Sequence, residues 1–195
     1  MKILQKTLLT LATGALLSVS AQAAVNYAGQ SYAGVKVGQY SPDGDVANSI
    51  DDAISYGVYG GYKFTPAFGI EAEYLTTSDE EVYNDSEEKS EYSADVYGLY
   101  GTYDYVFPNT SLYAKGRLGI AKNEVDAEYT DKIIAGNSFK ASASDTGVAG
   151  GLGLGYNVTP MVSVEAMYNF YPSIDIGDGD DLDASGITLG AHAKF

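Results

Sequence analysis

Three observations predict that this chain is all-β, an eight-stranded antiparallel up-and-down transmembrane β-barrel. Its last residues alternate: Ile187, Leu189, Ala191, Ala193 and Phe195 are apolar, while Gly186, Thr188, Gly190, His192 and Lys194 between them are small or polar. A period of two suits a strand that meets hydrocarbon on one face and a polar interior on the other. The same alternation recurs eight times along the chain. No later segment has the roughly 20 consecutive apolar residues that a membrane helix needs. Strands in a bilayer satisfy their backbone groups only by closing into a barrel.

The first element is read as a targeting segment. Lys2 and Lys6 precede an apolar stretch over residues 8–19, and Ala21-Gln22-Ala23 has the small-x-small form of a signal-peptidase site. Cleavage is expected after Ala23, because the stretch is too short for a membrane anchor. Residues 1–23 are then a signal peptide and residues 24–195 one outer-membrane barrel domain, exported to the bacterial outer membrane. Cysteine is absent, so strand pairing rather than disulfides must hold the fold.

The eight alternating segments are 31–41, 54–64, 68–77, 92–106, 111–123, 144–156, 161–170 and 185–195. In the third, Phe68, Ile70, Ala72 and Tyr74 are expected to face lipid, with Gly69, Glu71 and Glu73 inside. In the seventh, Val162, Val164, Ala166 and Tyr168 alternate with Ser163, Glu165 and Met167. Connections alternate too: short at 65–67, 107–110 and 157–160, long at 42–53, 78–91, 124–143 and 171–184. Each short turn contains Pro, which cannot donate to a ladder and belongs at a strand end. Short turns are periplasmic and long loops external in such barrels, and an even strand count puts both termini in the periplasm. Residues 61–74 and 155–168 share Gly, Tyr, Thr, Pro, Glu, Ala and Tyr at matching positions, a weak repeat that fits two like hairpins.

Sorted by segment, the charges separate. The four long loops hold 20 acids and three lysines (Lys89, Lys132, Lys140), a net of −17. Strands and turns hold six acids and six bases. A nucleic-acid partner is excluded, since its phosphates would be repelled. By the alternation, Lys36, Lys63, Glu71, Glu73, Lys115, Arg117 and Glu165 point into a lumen only wide enough for side chains. Isolated charges there are costly, so ion pairs are expected between Glu71, Glu73 or Glu165 and Lys36, Lys63, Lys115 or Arg117. Such a network makes a packed polar plug; a gated ion path is the competing reading.

The external segments offer weak metal candidates in Asp178, Asp180, Asp181 and Asp183, oxygen-rich and flexed by Gly179 but without EF-hand spacing or a closing Glu. No cofactor is implied beyond a divalent cation at these acidic loops, which would bridge them to anionic lipopolysaccharide; the other readings are recognition of a basic host or cell-surface partner and a solvated, self-repelling loop set that keeps the exported chain soluble. The single His192 is expected inside, near Lys194 and Ser163, as a satisfied interior histidine rather than the base of a lipid-modifying enzyme. Gly151-x-Gly153-x-Gly155 is not a phosphate loop, because Leu152, Leu154 and Tyr156 alternate through it; its glycines make room for long lumen side chains. Tyr40, Tyr56, Tyr74, Tyr92, Tyr105 and Tyr168, with Phe64, Phe68, Phe107 and Phe170, are read as interfacial girdles.

On the terminal Phe195 with Ile187, Leu189, Ala191 and Ala193, the signal peptide and the eight segments, the chain resembles the small eight-stranded outer-membrane barrels: the OmpA transmembrane domain, OmpX/Ail and the opacity proteins. It departs from full-length OmpA in having no peptidoglycan-binding domain after the barrel, and its girdles contain no Trp. The resemblance implies that the terminal residues are the signal read by the outer-membrane assembly machinery. It also implies a non-enzymatic, monomeric scaffold with a role in envelope integrity or surface adhesion, partnered by lipid and lipopolysaccharide. A narrow porin for small solutes or cations is the alternative, and a lipid-modifying enzyme the second.

Overall fold

The structure, a computed structural model, describes residues 29–43, 52–84, 88–131, 138–175 and 181–195. The expected signal peptide and cleavage site lie outside them. Among the described residues nine strands appear: β1 (Gln30–Asp43), β2 (Ala53–Lys63), β3 (Phe68–Thr77), β4 (Glu80–Asn84), β5 (Glu88–Val106), β6 (Leu112–Asp131), β7 (Ser138–Asn157), β8 (Val162–Asp175) and β9 (Asp181–Lys194). Every pairing is antiparallel between chain neighbours, and β1–β9 and β3–β5 pairs close the sheet. Both β3 and β4 pair with β5, so β4 prolongs the β3 stave beyond Ser78 and Asp79. The result is an eight-stave barrel.

Three tight turns mark one rim. Thr65 Oγ1 accepts from the amides of Ala67 and Phe68 at 3.3 and 2.8 Å. Thr159 Oγ1 accepts from Met161 and Val162 at 3.2 and 2.9 Å. The shared Thr-Pro of the internal repeat is therefore a turn device: the hydroxyl oxygen replaces the acceptor that a ladder would supply. The third turn uses Asn109, whose φ of 59° lies in the left-handed region that asparagine tolerates. At the same rim the chain ends meet, Ser31 and Phe195 exchanging backbone hydrogen bonds of 3.0 and 2.9 Å.

Alternation governs which face each residue takes. Phe68, Ile70, Ala72 and Tyr74 are exposed on the outer wall while Gly69, Glu71 and Glu73 are buried inside. Val162, Ala166 and Tyr168 are exposed and Ser163, Glu165 and Met167 buried. Aromatic pairs ring the lipid face at both ends: Phe68–Tyr103, Tyr62–Phe64 and Tyr105–Phe107 near the turns, Tyr74–Tyr97 at the far side, with centroids 5.0–5.3 Å apart. Edge or tilted contacts of this kind suit ring quadrupoles at a polar boundary.

Two expectations need correction. Strands extend through much of the segments assigned to long loops: β4 and the start of β5 take up 80–84 and 88–91, β6 and β7 124–131 and 138–143, and β8 and β9 171–175 and 181–184. A span needs about 9–11 tilted residues, whereas β6 and β7 have 20 each. Their outward positions change from Leu118 and Ile120 to Lys122, Glu124 and Asp126, which marks the end of the hydrocarbon. Beyond it the outward face is charged and the alternating residues Val125, Ala127 and Tyr129 are apolar, so the lipid-facing pattern that reveals a membrane strand inverts, although the ladder continues. Tyr40 and Tyr92 also leave the girdle, being buried in the interior. They share parity with Lys36 and with Tyr100 on their own strands, and parity rather than aromatic character decides the face.

Candidate functional site

The lumen is built in three levels. In the middle, β3 supplies Glu71 and Glu73, β6 supplies Lys115 and Arg117, β1 Lys36 and β8 Glu165, all buried. Arg117 Nη1 donates to Glu71 Oε1 at 3.0 Å and to Glu73 Oε2 at 2.6 Å; Nη2 donates to Glu73 Oε1 at 3.0 Å and Asn169 Oδ1 at 2.7 Å. That fork grips Glu73 through both oxygens, the geometry in which guanidinium outperforms ammonium. Its Cζ lies 4.2 Å from the Tyr100 ring centroid. Lys36 pairs with Glu73, and Lys115 with Glu71 and with Glu165, whose oxygens lie 3.3 and 3.2 Å away. Tyrosines complete the carboxylates: Tyr32 donates to Glu71 at 2.9 Å, Tyr100 to Glu73 at 2.6 Å and Tyr113 to Glu165 at 3.3 Å. Three carboxylates and three cations balance, as burial requires.

Close packing needs glycine opposite each ring. A Cβ on Gly155 would lie 2.0 Å from Tyr113 Cζ, and one on Gly61 2.4 Å from the Tyr32 hydroxyl. Gly151 and Gly153 make the same allowance for Asn169 and Met167, at 2.7 and 2.4 Å.

Below the network, at the turn end, lies a mouth lined by Gln30, Lys63, Asp104, Asn157, His192 and Lys194 among others. Here the expected pairing of Lys63 with one of the glutamates gives way to another: its Nζ meets Asp104 at 2.8 Å and Thr102 Oγ1 at 3.2 Å. The reason is local. Gly69 stands opposite Lys63 in the ladder, and a Cβ there would come 3.0 Å from Lys63 Cδ, so the lysine crosses β3 to reach β5. Asp104 was readable only as a strand acid. Lys194 donates to Asn157 at 2.6 Å. His192 Nδ1 lies 3.0 Å from the Tyr59 hydroxyl, and its ring tilts against Tyr32 at 4.9 Å. Ser163, opposite His192 in register, donates instead to Asn157 at 2.6 Å; no Ser–His nucleophile pair forms at this position.

Above the network an apolar cluster fills much of the lumen, beside the buried Ser55, Thr77 and Asn123, which the alternation did not signal. Tyr40, Leu75, Ala94, Val96, Ala121, Ala149, Tyr171 and Ala184 form one cluster, with Tyr40 stacked on Tyr171 at 5.7 Å. Asn123 and Tyr40 exchange hydrogen bonds of 2.9 and 3.1 Å within it.

The terminal run faces outward: Ile187, Ala191, Ala193 and Phe195 are exposed and Leu189 half-buried. Of the metal candidates, Asp178 and Asp180 lie outside the described residues. Asp181 starts β9 opposite Asp175, and Asp183 accepts from Ser173 at 2.5 Å. Among the described residues no group of three or more acids or histidines is placed to hold a metal ion.

A family model described as outer membrane protein beta-barrel domain matches residues 9–195. No curated protein matches the sequence. Among solved structures, Ail, the attachment invasion locus protein of Yersinia pestis, is 18% identical, with a TM-score of 0.62 over 86% of this chain and 99% of that one. Neisserial surface protein A is 14% identical, with a TM-score of 0.64 over 86% and 99%. OprG of Pseudomonas aeruginosa is 16% identical, with a TM-score of 0.52 over 89% and 99%.

Proposed function

The chain belongs to the outer membrane protein β-barrel family, and from that premise we propose that it is a closed scaffold of the bacterial outer membrane. The barrel does not conduct, and the sheet projecting beyond it carries recognition at the cell surface, in adhesion or envelope maintenance. The observation that supports this reading most is the stacking of the lumen. The neutral network of Glu71, Glu73, Glu165, Lys36, Lys115 and Arg117 crosses it, and the Tyr40–Leu75–Tyr171 cluster lies above. A solute would have to separate buried ion pairs and then enter an apolar layer, and each step is unfavourable for an ion.

Surface recognition follows from the charge. The Yersinia pestis protein has been solved with sucrose octasulfate, a heparin analogue. A polyanion approaching this chain would meet 20 carboxylates against three lysines in the external segments, so its partner is cationic. Removal of residues 1–23, reading of the Phe195 terminus by the assembly machinery and life as a monomer among lipid and lipopolysaccharide belong to the same proposal, as does the absence of enzymatic activity.

The native chain has no cysteine, which makes single-thiol labelling decisive. With Thr188→Cys inside the lumen and Ser144→Cys on the projecting sheet, a membrane-impermeant maleimide added to intact cells is expected to label the second within minutes and the first only after unfolding. Equal labelling of both would overturn the closed lumen.

A further inference from the structure

Two buried acceptors are left over at the turn end of the lumen. Asp104 meets Lys63 Nζ through Oδ2 at 2.8 Å, but its Oδ1 is buried with no hydrogen-bond partner among the described residues, and so is Gln30 Oε1. Gln30 shares parity with Tyr32 and Lys36, both buried in the lumen, so it points inward. Both residues line the same mouth. A buried acceptor without a donor is costly, and a carboxylate oxygen more so than an amide.

Cations are arranged around these acceptors. Lys63 and Lys194 stand on either side of β1, opposite Gln30 and Tyr32 in the two ladders. Their heads diverge, Lys63 towards Asp104 on β5 and Lys194 towards Asn157 on β7. Of the charged side chains that line the mouth, Lys63, Lys115 and Lys194 stand against Asp104 and Glu165. A bare cation is repelled by that surplus, and a bare anion leaves Asp104 Oδ1 and Gln30 Oε1 without donors. A group that carries an N–H-bearing cation close to an anion answers both. The mouth also opens beside the membrane boundary. Pro66, in the turn between β2 and β3, is part of its lining, while Phe64 and Phe68 flank that turn on the lipid face, 54% and 59% exposed. Only the turn at 65–67 separates the mouth from the aromatic girdle.

We propose that the turn-end mouth binds an aminoethyl phosphate group, the headgroup of an ethanolamine phospholipid of the adjoining leaflet, folded over the turn at 65–67. Its ammonium donates to Asp104 Oδ1 and Gln30 Oε1, and its phosphate lies in the field of Lys63 and Lys194. A choline headgroup carries the same charges but no N–H, so it cannot replace ethanolamine here. The site goes beyond the closed-scaffold reading and takes from it only the membrane in which the barrel sits.

The test uses the full mature chain refolded in detergent, with glycerophosphoethanolamine as probe and glycerophosphocholine as its N-methylated match, read by NMR at the side-chain amides of Gln30 and Asn157. Saturable shifts are expected with the first at millimolar concentration and none with the second. Asp104→Asn is expected to weaken binding at least about tenfold. Gln30→Leu, which leaves the Lys63–Asp104 pair in place and is read at Asn157, should weaken it about fivefold and keeps the test open if Asp104→Asn fails to refold. Nanodiscs of ethanolamine lipid should reproduce the Gln30 shift and nanodiscs of choline lipid should not, which separates a lipid headgroup from a free ester. Equal shifts with the choline probe, undiminished binding by Gln30→Leu, or no shift with either probe would each overturn the proposal. A response to the soluble probe that ethanolamine nanodiscs fail to reproduce would overturn the lipid source. The thiol labelling of Thr188→Cys judges the closed scaffold independently.

Discussion

Arg117→Met removes the cation that joins the two central glutamates while keeping most of the side chain's volume. Arg117 gives two hydrogen bonds to Glu73, one to Glu71 and one to Asn169. After the change Glu71 retains Lys115 and Tyr32, and Glu73 retains Lys36 and Tyr100, but three buried carboxylates face two cations. Removing one partner of a buried pair costs about 3–5 kcal/mol; the contacts that remain place the expected loss near the lower bound, about 3 kcal/mol. Urea unfolding of the refolded chain in lipid vesicles, followed by heat-modifiable gel mobility, measures it. Adding Glu73→Gln removes the surplus charge and should recover at least about 1 kcal/mol in a double-mutant cycle. A single-mutant loss under about 1 kcal/mol, or losses that simply add, would refute the neutral-network argument.

Gly155→Ala pushes a methyl into the Tyr113 ring and should cost about 1–3 kcal/mol as overpacking. Gly101→Ala, whose nearest neighbour would be the Leu118 carbonyl at 3.8 Å, should change urea stability by less than about 0.5 kcal/mol. Asp104→Asn deprives Lys63 of its charge partner and leaves Thr102; a loss of about 1–2 kcal/mol is expected in the same assay. Phe195→Ala should lower the amount of folded barrel in cell envelopes while leaving the refolded protein's urea midpoint unchanged, because the side chain lies outside the core.

Much of this architecture was legible because a bilayer imposes its pattern on sequence. Wherever lipid touches a strand, as at Phe68, Ile70, Ala72 and Tyr74, every second residue reports its face. The same parity carried Lys36, Glu71, Glu73, Lys115 and Arg117 to one interior. Legibility ended where lipid ends. Past Lys122 the outward face of β6 turns charged, with Glu124 and Asp126, while Val125, Ala127 and Tyr129 lie on the other face, so a 20-residue strand that stops looking lipid-facing reads as half that length followed by a loop. The apolar upper lumen escaped notice because alanine and tyrosine on an inward face carry no contrast with their neighbours. Lys63's choice of Asp104 depends on a glycine across the ladder, a three-dimensional adjacency that one strand cannot show. The end of the β7–β8 ladder at Gly150 comes where β8 turns at Pro172, which depends on register between strands rather than on either strand alone.

The most direct test of the closed scaffold is single-channel recording of the refolded mature chain in planar bilayers, at neutral pH and molar potassium chloride. The account predicts a silent membrane after verified insertion, with conductance appearing only when both layers are opened, as in Arg117→Ala combined with Tyr171→Ala. Steady, cation-selective openings of the unaltered protein, abolished by charge reversal at Arg117, would contradict it and make the lumen charges a conduction path.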